Sequence, residues 1–272
     1  MGIPSYFSFI VKNHGNIVRK INRLNKNVDN FYLDSNSIVY DCLRALEKEY
    51  NGNDEQFEKK LIEAVCIKID EYIKIIKPKK LVFIAFDGVA PVAKLEQQRN
   101  RRYKSYLLTF LKNEFEKQPD KWDKTAITPG TNFMEKLANY TKHYYHNKEK
   151  KYNIKNFIVS TSDEPGEGEH KLFGYIRDNK ASHSKEVSMI YGLDADLIML
   201  ALNHLPISKQ IYLYRETPEF IKSLNQDLEP NEPYFLDIPK LAQIIRQDMN
   251  GFGKHSKIQE TNRLYDYIFL CF

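Results

Sequence analysis

Eight consecutive residues, Glu164-Pro165-Gly166-Glu167-Gly168-Glu169-His170-Lys171, offer two carboxylates in a setting suited to holding a cation. Proline and two glycines break the backbone between the apolar run Asn156 to Ser160 and the amphipathic run Lys171 to Arg177, so the stretch reads as strand, turn, helix. Glu167 and Glu169 lie two apart and would point different ways on one ideal helix. They converge only if the helix begins between them. An acidic helix cap, favoured by the helix dipole, accounts for this stretch equally well when it is taken alone.

Three other strand ends carry the same chemistry. Phe31-Tyr32-Leu33 runs into Asp34, Leu81 to Phe86 into Asp87-Gly88, and Val187 to Tyr191, through Gly192-Leu193, into Asp194-Ala195-Asp196. Each run is apolar without alternation, as in strands buried on both faces, and each precedes a helical pattern. In an open parallel sheet the C-terminal ends of the strands share one edge, and ligands bind there. Six carboxylates, Asp34, Asp87, Glu167, Glu169, Asp194 and Asp196, would then crowd one crevice. Like charges at that density call for cations, and hard oxygen donors suit Mg²⁺ or Mn²⁺. A helix N-cap explains any single Asp but poorly explains all of them together.

Positioning these groups requires an α/β fold: an open, twisted, mainly parallel sheet flanked by helices. The 272 residues, 42% of them hydrophobic, are enough for a substantial core. The chain is read as a single domain over residues 1–272. Helices are expected at Ser37 to Glu49, Phe57 to Ile76, Asn132 to Tyr145 (capped by the turn Thr128-Pro129-Gly130-Thr131), Leu197 to Leu202 and Leu236 to Met249, with a further strand at Ile211 to Tyr214. Lys112 to Lys124 reads as an exposed loop holding Trp122, either an anchor for that loop or a platform for a base. His143 and His146 have metal-capable spacing but no acidic neighbours, and read as surface residues. No apolar run approaches membrane-spanning length. The three cysteines, Cys42, Cys66 and Cys271, are not paired by spacing, which fits a reducing compartment and excludes a disulfide framework or zinc ribbon.

Of the formal charge of +5, a net +4 falls within the eleven residues Lys94 to Lys104. On a helix, Lys94, Gln98, Arg101 and Arg102 share roughly one face. Guanidinium, amide and ammonium donors side by side are good phosphate ligands, although charge runs are more often simply solvated. This run follows Asp87-Gly88-Val89-Ala90-Pro91 and so begins at the edge where the carboxylates gather. A cationic phosphate site beside an anionic metal site is what a nuclease needs.

Leu33-Asp34-Ser35-Asn36, Asp87-Gly88-Val89-Ala90-Pro91 with Ala93-Lys94 and Gln97-Gln98-Arg99-Asn100-Arg101-Arg102, Ile127-Thr128-Pro129-Gly130-Thr131, Pro165-Gly166-Glu167-Gly168-Glu169-His170-Lys171 and Tyr191-Gly192-Leu193-Asp194-Ala195-Asp196-Leu197-Ile198-Met199-Leu200 together resemble the N-terminal catalytic region of the Xrn-type 5′→3′ exoribonucleases. The order agrees, and the likeness covers nearly the whole chain. It implies a fold similar to flap endonucleases and PIN-like nucleases, a divalent-metal site of two Mg²⁺ (or Mn²⁺) ions, and removal of mononucleotides from single-stranded RNA bearing a 5′ monophosphate during RNA decay. By position it implies metal binding and catalysis for the same six carboxylates. It implies substrate binding for Lys94, Gln98, Arg101 and Arg102 as the 5′-phosphate pocket, with Asn36 and Tyr40 beside it. Two ions can activate water and steady the leaving oxygen, so no protein nucleophile is needed.

The chain also departs from that pattern. Tyr40 stands where the family carries a base-stacking His, and a Tyr ring still stacks. Val92 replaces an Arg. Tyr265 to Phe272 looks like the start of a further motif whose continuation, with another metal-binding Asp and an aromatic that sandwiches the base, is absent from this chain. The expectation is a domain truncated at its C-terminal end, completed by a missing segment or a partner chain. Two alternatives remain at this level: a non-catalytic 5′-phosphate RNA-binding fragment, and a flap-type DNA nuclease, which lacks the Pro-Gly-Glu-Gly-Glu-His wording. Lack of a zinc knuckle and of a basic nuclear-localisation cluster favours the cytoplasm over the nucleus.

Overall fold

Leu81–Ala85 contains no polar side chain, and each of its five residues is buried. A strand covered on both faces belongs in the middle of a sheet with helices on either side. The computed structural model, which describes residues 5–116, 121–216, 221–224, 226, 228–230, 232–250 and 256–271, has that arrangement.

The strands are β1 (Val18–Lys20), β2 (Asn30–Asp34), β3 (Leu81–Ala85), β4 (Asn156–Ser160), β5 (Val187–Tyr191), β6 (Gln210–Glu216) and β7 (Pro233–Asp237), in the order β1-β7-β6-β5-β2-β3-β4. From β6 through β5, β2 and β3 to β4 every pairing is parallel, whereas β7 runs antiparallel between β6 and β1. The parallel strands therefore bring the residues that follow β2, β3, β4 and β5 to one edge.

The helices are α1 (Tyr6–Asn13), α2 (Asn36–Leu46), α3 (Asp54–Ile76), α4 (Val92–Glu116), α5 (Asn132–Tyr145), α6 (Glu149–Tyr152), α7 (Gly168–Asp178), α8 (Lys180–His183), α9 (Asp196–His204), α10 (Ile221–Leu224), α11 (Ile238–Asn250) and α12 (Lys257–Cys271). Alternation along β2 sorts the core into two layers. Phe31 and Leu33 face a cluster with Ile38 of α2, Val65 and Ile69 of α3, and Leu137 of α5. Tyr32 faces the opposite cluster, with Phe7 of α1, Leu172 of α7, Leu202 of α9, Leu241 of α11 and Leu264 of α12. Among the described residues, no helix is long and apolar enough to cross a membrane.

Three elements differ from the sequence expectation. β1 and β7 had no signal: one is three residues long, and the other is continuous with an apolar helix pattern. Asp237 closes β7, and the helix starts at Ile238, with Asp237 Oδ1 accepting from the Lys240 N–H at 3.1 Å. The basic helix is longer than expected, since α4 reaches Glu116 and so takes in the start of the anticipated loop, 112–116; residues 117–120 of that loop lie outside the described residues. The extension is reasonable because Lys, Asn and Glu continue the helix and neither Gly nor Pro intervenes before Pro119. Trp122 is an anchor. It is 5% exposed and packs against Phe57 and Phe133, with ring centroids at 5.8 and 5.0 Å.

Candidate active site

The acidic turn is held against the neighbouring turn by its backbone. The Gly88 N–H donates to Gly166 O at 2.8 Å, and the Gly166 N–H donates to Val89 O at 3.0 Å. A Cβ on Gly88 would lie 1.7 Å from Glu164 O, so only glycine permits this approach. Lys171 Nζ donates to Phe86 O and Thr161 O, both at 2.8 Å, and thereby ties the ends of β3 and β4 together from beneath. Burial lowers the Lys171 pKa.

Glu167 is the extended N-cap of α7, and the helix begins at Gly168, between the two glutamates, as their spacing requires. The Gly168 N–H donates to Asp87 Oδ1 at 2.6 Å, the free donor of a helix N-terminus meeting a carboxylate. A Cβ on Gly168 would meet Asp34 Oδ1 at 2.5 Å. Gly168→Ala is expected to push Asp34 aside and to lower the rate of the site's reaction by about 10²-fold, the scale of an ångström of misplacement, with the helix content by circular dichroism unchanged.

All six predicted carboxylates line one cleft of about 340 Å³, together with Lys94, Gln98 and Arg101 from α4. Gln97 and Ala195 line it too. The sequence reading passed over both, although Gln97 adjoins Gln98 in the same motif. The other predicted residues lie behind or beside the lining. Asn36 Nδ2 donates to Asp87 Oδ2 at 2.8 Å and its Oδ1 accepts from the Asp87 N–H at 3.0 Å, so Asn36 holds Asp87 by both its carboxylate and its backbone. Arg102 Nη2 donates to Gln98 Oε1 at 3.3 Å. Tyr40, 42% exposed, feels both Arg101 and Arg102, although burial of its hydroxyl is the stronger influence and raises its pKa. His143 and His146 are exposed and outside the cleft, as expected.

Burial, reinforced by the crowding of like charge, sets the electrostatics. Burial raises the Asp34 carboxyl well above the usual range, and Asp87, Glu169, Asp194 and Glu167 push it further. Asp87 is also raised by burial, against the pull of the Gly168 N–H. Glu169 is pushed up to about 7 by burial, with Glu167, Asp196 and Asp194 adding to the effect and Lys94 opposing it. Lys94 Nζ donates to Glu167 Oε2 at 2.6 Å, which raises the lysine's pKa. Lys94, expected from the sequence as a phosphate ligand, serves here as a counter-charge for a carboxylate.

Residues 1–217 match the family described as the XRN 5′-3′ exonuclease N-terminus. The chain belongs to the XRN 5′→3′ exonuclease family. It is 34% identical, along its whole length, to "5′-3′ exoribonuclease 1" of Saccharomyces cerevisiae and covers 19% of that protein. It is 28% identical, again along its whole length, to "5′-3′ exoribonuclease 2" of Arabidopsis thaliana, covering 34% of it. Over 91% of the chain it is 31% identical to "5′-3′ exoribonuclease 2" of Yarrowia lipolytica, covering 28% of that protein. The chain thus spans between a fifth and about a third of the length of these relatives.

XRN nucleases are metal-dependent in general, and the donors of this cleft fit a hard divalent cation: all six are carboxylates, and their mutual repulsion is of the kind a cation relieves. His170 is an unforeseen neighbour. Its Nε2 lies 3.6 Å from Glu167 Oε2 and 3.9 Å from Glu169 Oε1. One donor atom from each of these three residues falls within 4.8 Å of the others.

Proposed function

We propose that this chain carries the catalytic centre of a 5′→3′ exoribonuclease that degrades single-stranded RNA bearing a 5′ monophosphate to mononucleotides, using two Mg²⁺ or Mn²⁺ ions. The observation that carries this reading is the shared cleft, lined by six carboxylates together with Lys94, Gln98 and Arg101 of α4.

Bound ions would supply an activated water and stabilise charge on the scissile phosphate. Asp34, Asp87, Glu167, Glu169, Asp194 and Asp196 would hold them, and Asn36 and the Gly168 N–H fix the Asp87 carboxylate that shares in this. The 5′ phosphate would be received by α4. Because Arg102 occupies the Gln98 carbonyl oxygen, the Gln98 amide nitrogen is left to donate towards the cleft, so Arg102 acts by orienting Gln98. With a cation held at Glu167, Lys94 would be free to leave that carboxylate and join Arg101 on the phosphate. Tyr40, exposed beside Arg101, supplies a face for the first base. A terminal phosphate held at a set distance from the carboxylates makes cleavage proceed from the 5′ end.

The test is degradation of 3′-labelled single-stranded RNA, 5′-phosphorylated or 5′-hydroxylated, in Mg²⁺ and in EDTA. Mg²⁺-dependent release of mononucleotides from the phosphorylated RNA is expected. Equal cleavage of both RNAs would refute the pocket, and phosphate-dependent binding without cleavage would make the chain a binder. Arg101→Ala is expected to reduce the preference for a 5′ phosphate by on the order of tenfold, the worth of one charge-assisted contact, with little change on 5′-hydroxyl RNA.

A further inference from the structure

Arg215 sits at the same sheet edge as the carboxylates, and neither the motifs nor the cleft lining points to it. It follows Tyr214, which pairs with Tyr191 across the parallel β5–β6 ladder, and the Gly192 N–H donates to Tyr214 O at 3.4 Å. This register puts Arg215 beside the turn that carries Asp194. Arg215 is 9% exposed, has no ion-pair partner among the described residues, and leaves its Nε without a hydrogen-bond partner. The Phe7 ring of α1 covers it, 3.6 Å from Cζ.

Burying an unpaired charge is costly, and an apolar side chain would fill such a site at less cost. Two features offset the cost. The Phe7 ring attracts the cation through its face, and Tyr191, with Asp194 behind it, opposes the effect of burial on the guanidinium. Although burial draws the pKa of Arg215 down to about 10, it stays protonated at neutral pH. Phe7 also excludes the water that would otherwise screen this charge from the cleft. Lys94, at the Glu167 end of the cluster, is a mobile counter-charge on a partly exposed stem. Arg215, at the Asp194 end, is a fixed one.

We propose that Arg215 is a positioning residue of the cleft: its guanidinium is a permanent internal counter-charge for the Asp194 arm of the carboxylate cluster, and it weakens the hold on cations there until RNA phosphate arrives to share them. The proposal rests on the reading of the cleft as a divalent-metal site.

It is tested by titrating the RNA-free protein with Mn²⁺ and following the free ion by electron paramagnetic resonance. Arg215→Met, which removes the charge and keeps the bulk, is expected to bind Mn²⁺ on the order of tenfold more tightly, as a unit charge close to a divalent ion implies. Arg215→Lys, which keeps the charge, is expected to retain the wild-type affinity. A merely structural role predicts the opposite sign, because a loosened Asp194 turn binds ions more weakly. Unchanged or weaker Mn²⁺ binding by folded Arg215→Met overturns the proposal. Should that variant not fold, Phe7→Leu admits water to the guanidinium and must tighten Mn²⁺ binding by a smaller factor; unchanged affinity there overturns the proposal equally. A wild-type chain that binds no Mn²⁺, or Asp194→Ala binding it as well as wild type, defeats the metal-site reading itself.

Discussion

Asp34→Asn is expected to abolish cleavage and, at the same time, to raise the melting temperature of the metal-free protein. The two effects share one cause. Asp34 ends β2 at the centre of the parallel strands, Gly168 approaches so closely that no Cβ fits, and the charges of Asp87, Glu169, Asp194 and Glu167 all bear on it. Asparagine keeps the shape and one oxygen but removes the charge that repels its neighbours, so the empty cleft relaxes. A gain of about 1 kcal/mol would appear as a rise of roughly 2–4 °C in a chain of this size. With ions bound the balance reverses. Loss of a central carboxylate ligand removes several kcal/mol of charge stabilisation, a fall in rate of about 10³-fold or more. RNA affinity should hardly change, because α4 is untouched. Calorimetry in EDTA and single-turnover cleavage on the same preparation separate the two effects. An unchanged melting temperature would contradict the account of repulsion, and retained cleavage would remove Asp34 from the centre.

Much of this centre could be read before any coordinates because local sequence governs it. Apolar runs that end in Asp give the strand ends, and parallel pairing then fixes which edge they share. Glu167 and Glu169 converge because Gly168 permits a helix to begin between them, a constraint visible in the spacing alone. What escaped the sequence depends on packing between distant elements. β1 is recognisable as a strand through its pairing with β7, Val18 opposite Leu236 and Lys20 opposite Tyr234, and β7 through its pairing with β1 and β6. Arg102 shares the helical periodicity of Arg101 yet spends a donor on Gln98, a choice that periodicity cannot express. Asn36 resembles a substrate ligand in its motif, but its partner is Asp87, 51 residues away. Arg215 is a buried charged residue next to the apolar run Ile211 to Tyr214, and its meaning depends on Phe7 from near the start of the chain.

Between pH 5 and 8 the metal-free protein is expected to lose stability as pH rises, and Mg²⁺ is expected to remove that dependence. Glu169, raised from 4.5 to about 7 chiefly by burial, binds its proton more tightly in the folded chain than in the unfolded one. Asp34 and Asp87 are shifted in the same direction. A group shifted upward contributes stability that is complete below its unfolded pKa and is lost as pH climbs through its folded one, so for Glu169 the loss runs from about 4.5 to about 7. Asp163, held at about 2 by Lys142 and Thr161, acts in the other sense but only in acid, outside this window. His204 opposes within the window: burial lowers its pKa from 6.5, with Arg177 adding to this, so the folded chain gains relative stability as pH rises towards 6.5. Glu169→Gln separates these contributions, because it removes the Glu169 proton and leaves His204 in place. Melting temperature against pH in EDTA should therefore fall in the wild type and fall less steeply in Glu169→Gln, where Asp34 and Asp87 still carry their upward shifts. Millimolar Mg²⁺ should flatten the wild-type curve, since ions that bind deprotonated carboxylates stabilise most where the protons have left. If both proteins show the same slope, the proton is not on Glu169, and the crowding of charge that gives the cleft its affinity for cations must lie with Asp34 and Asp87.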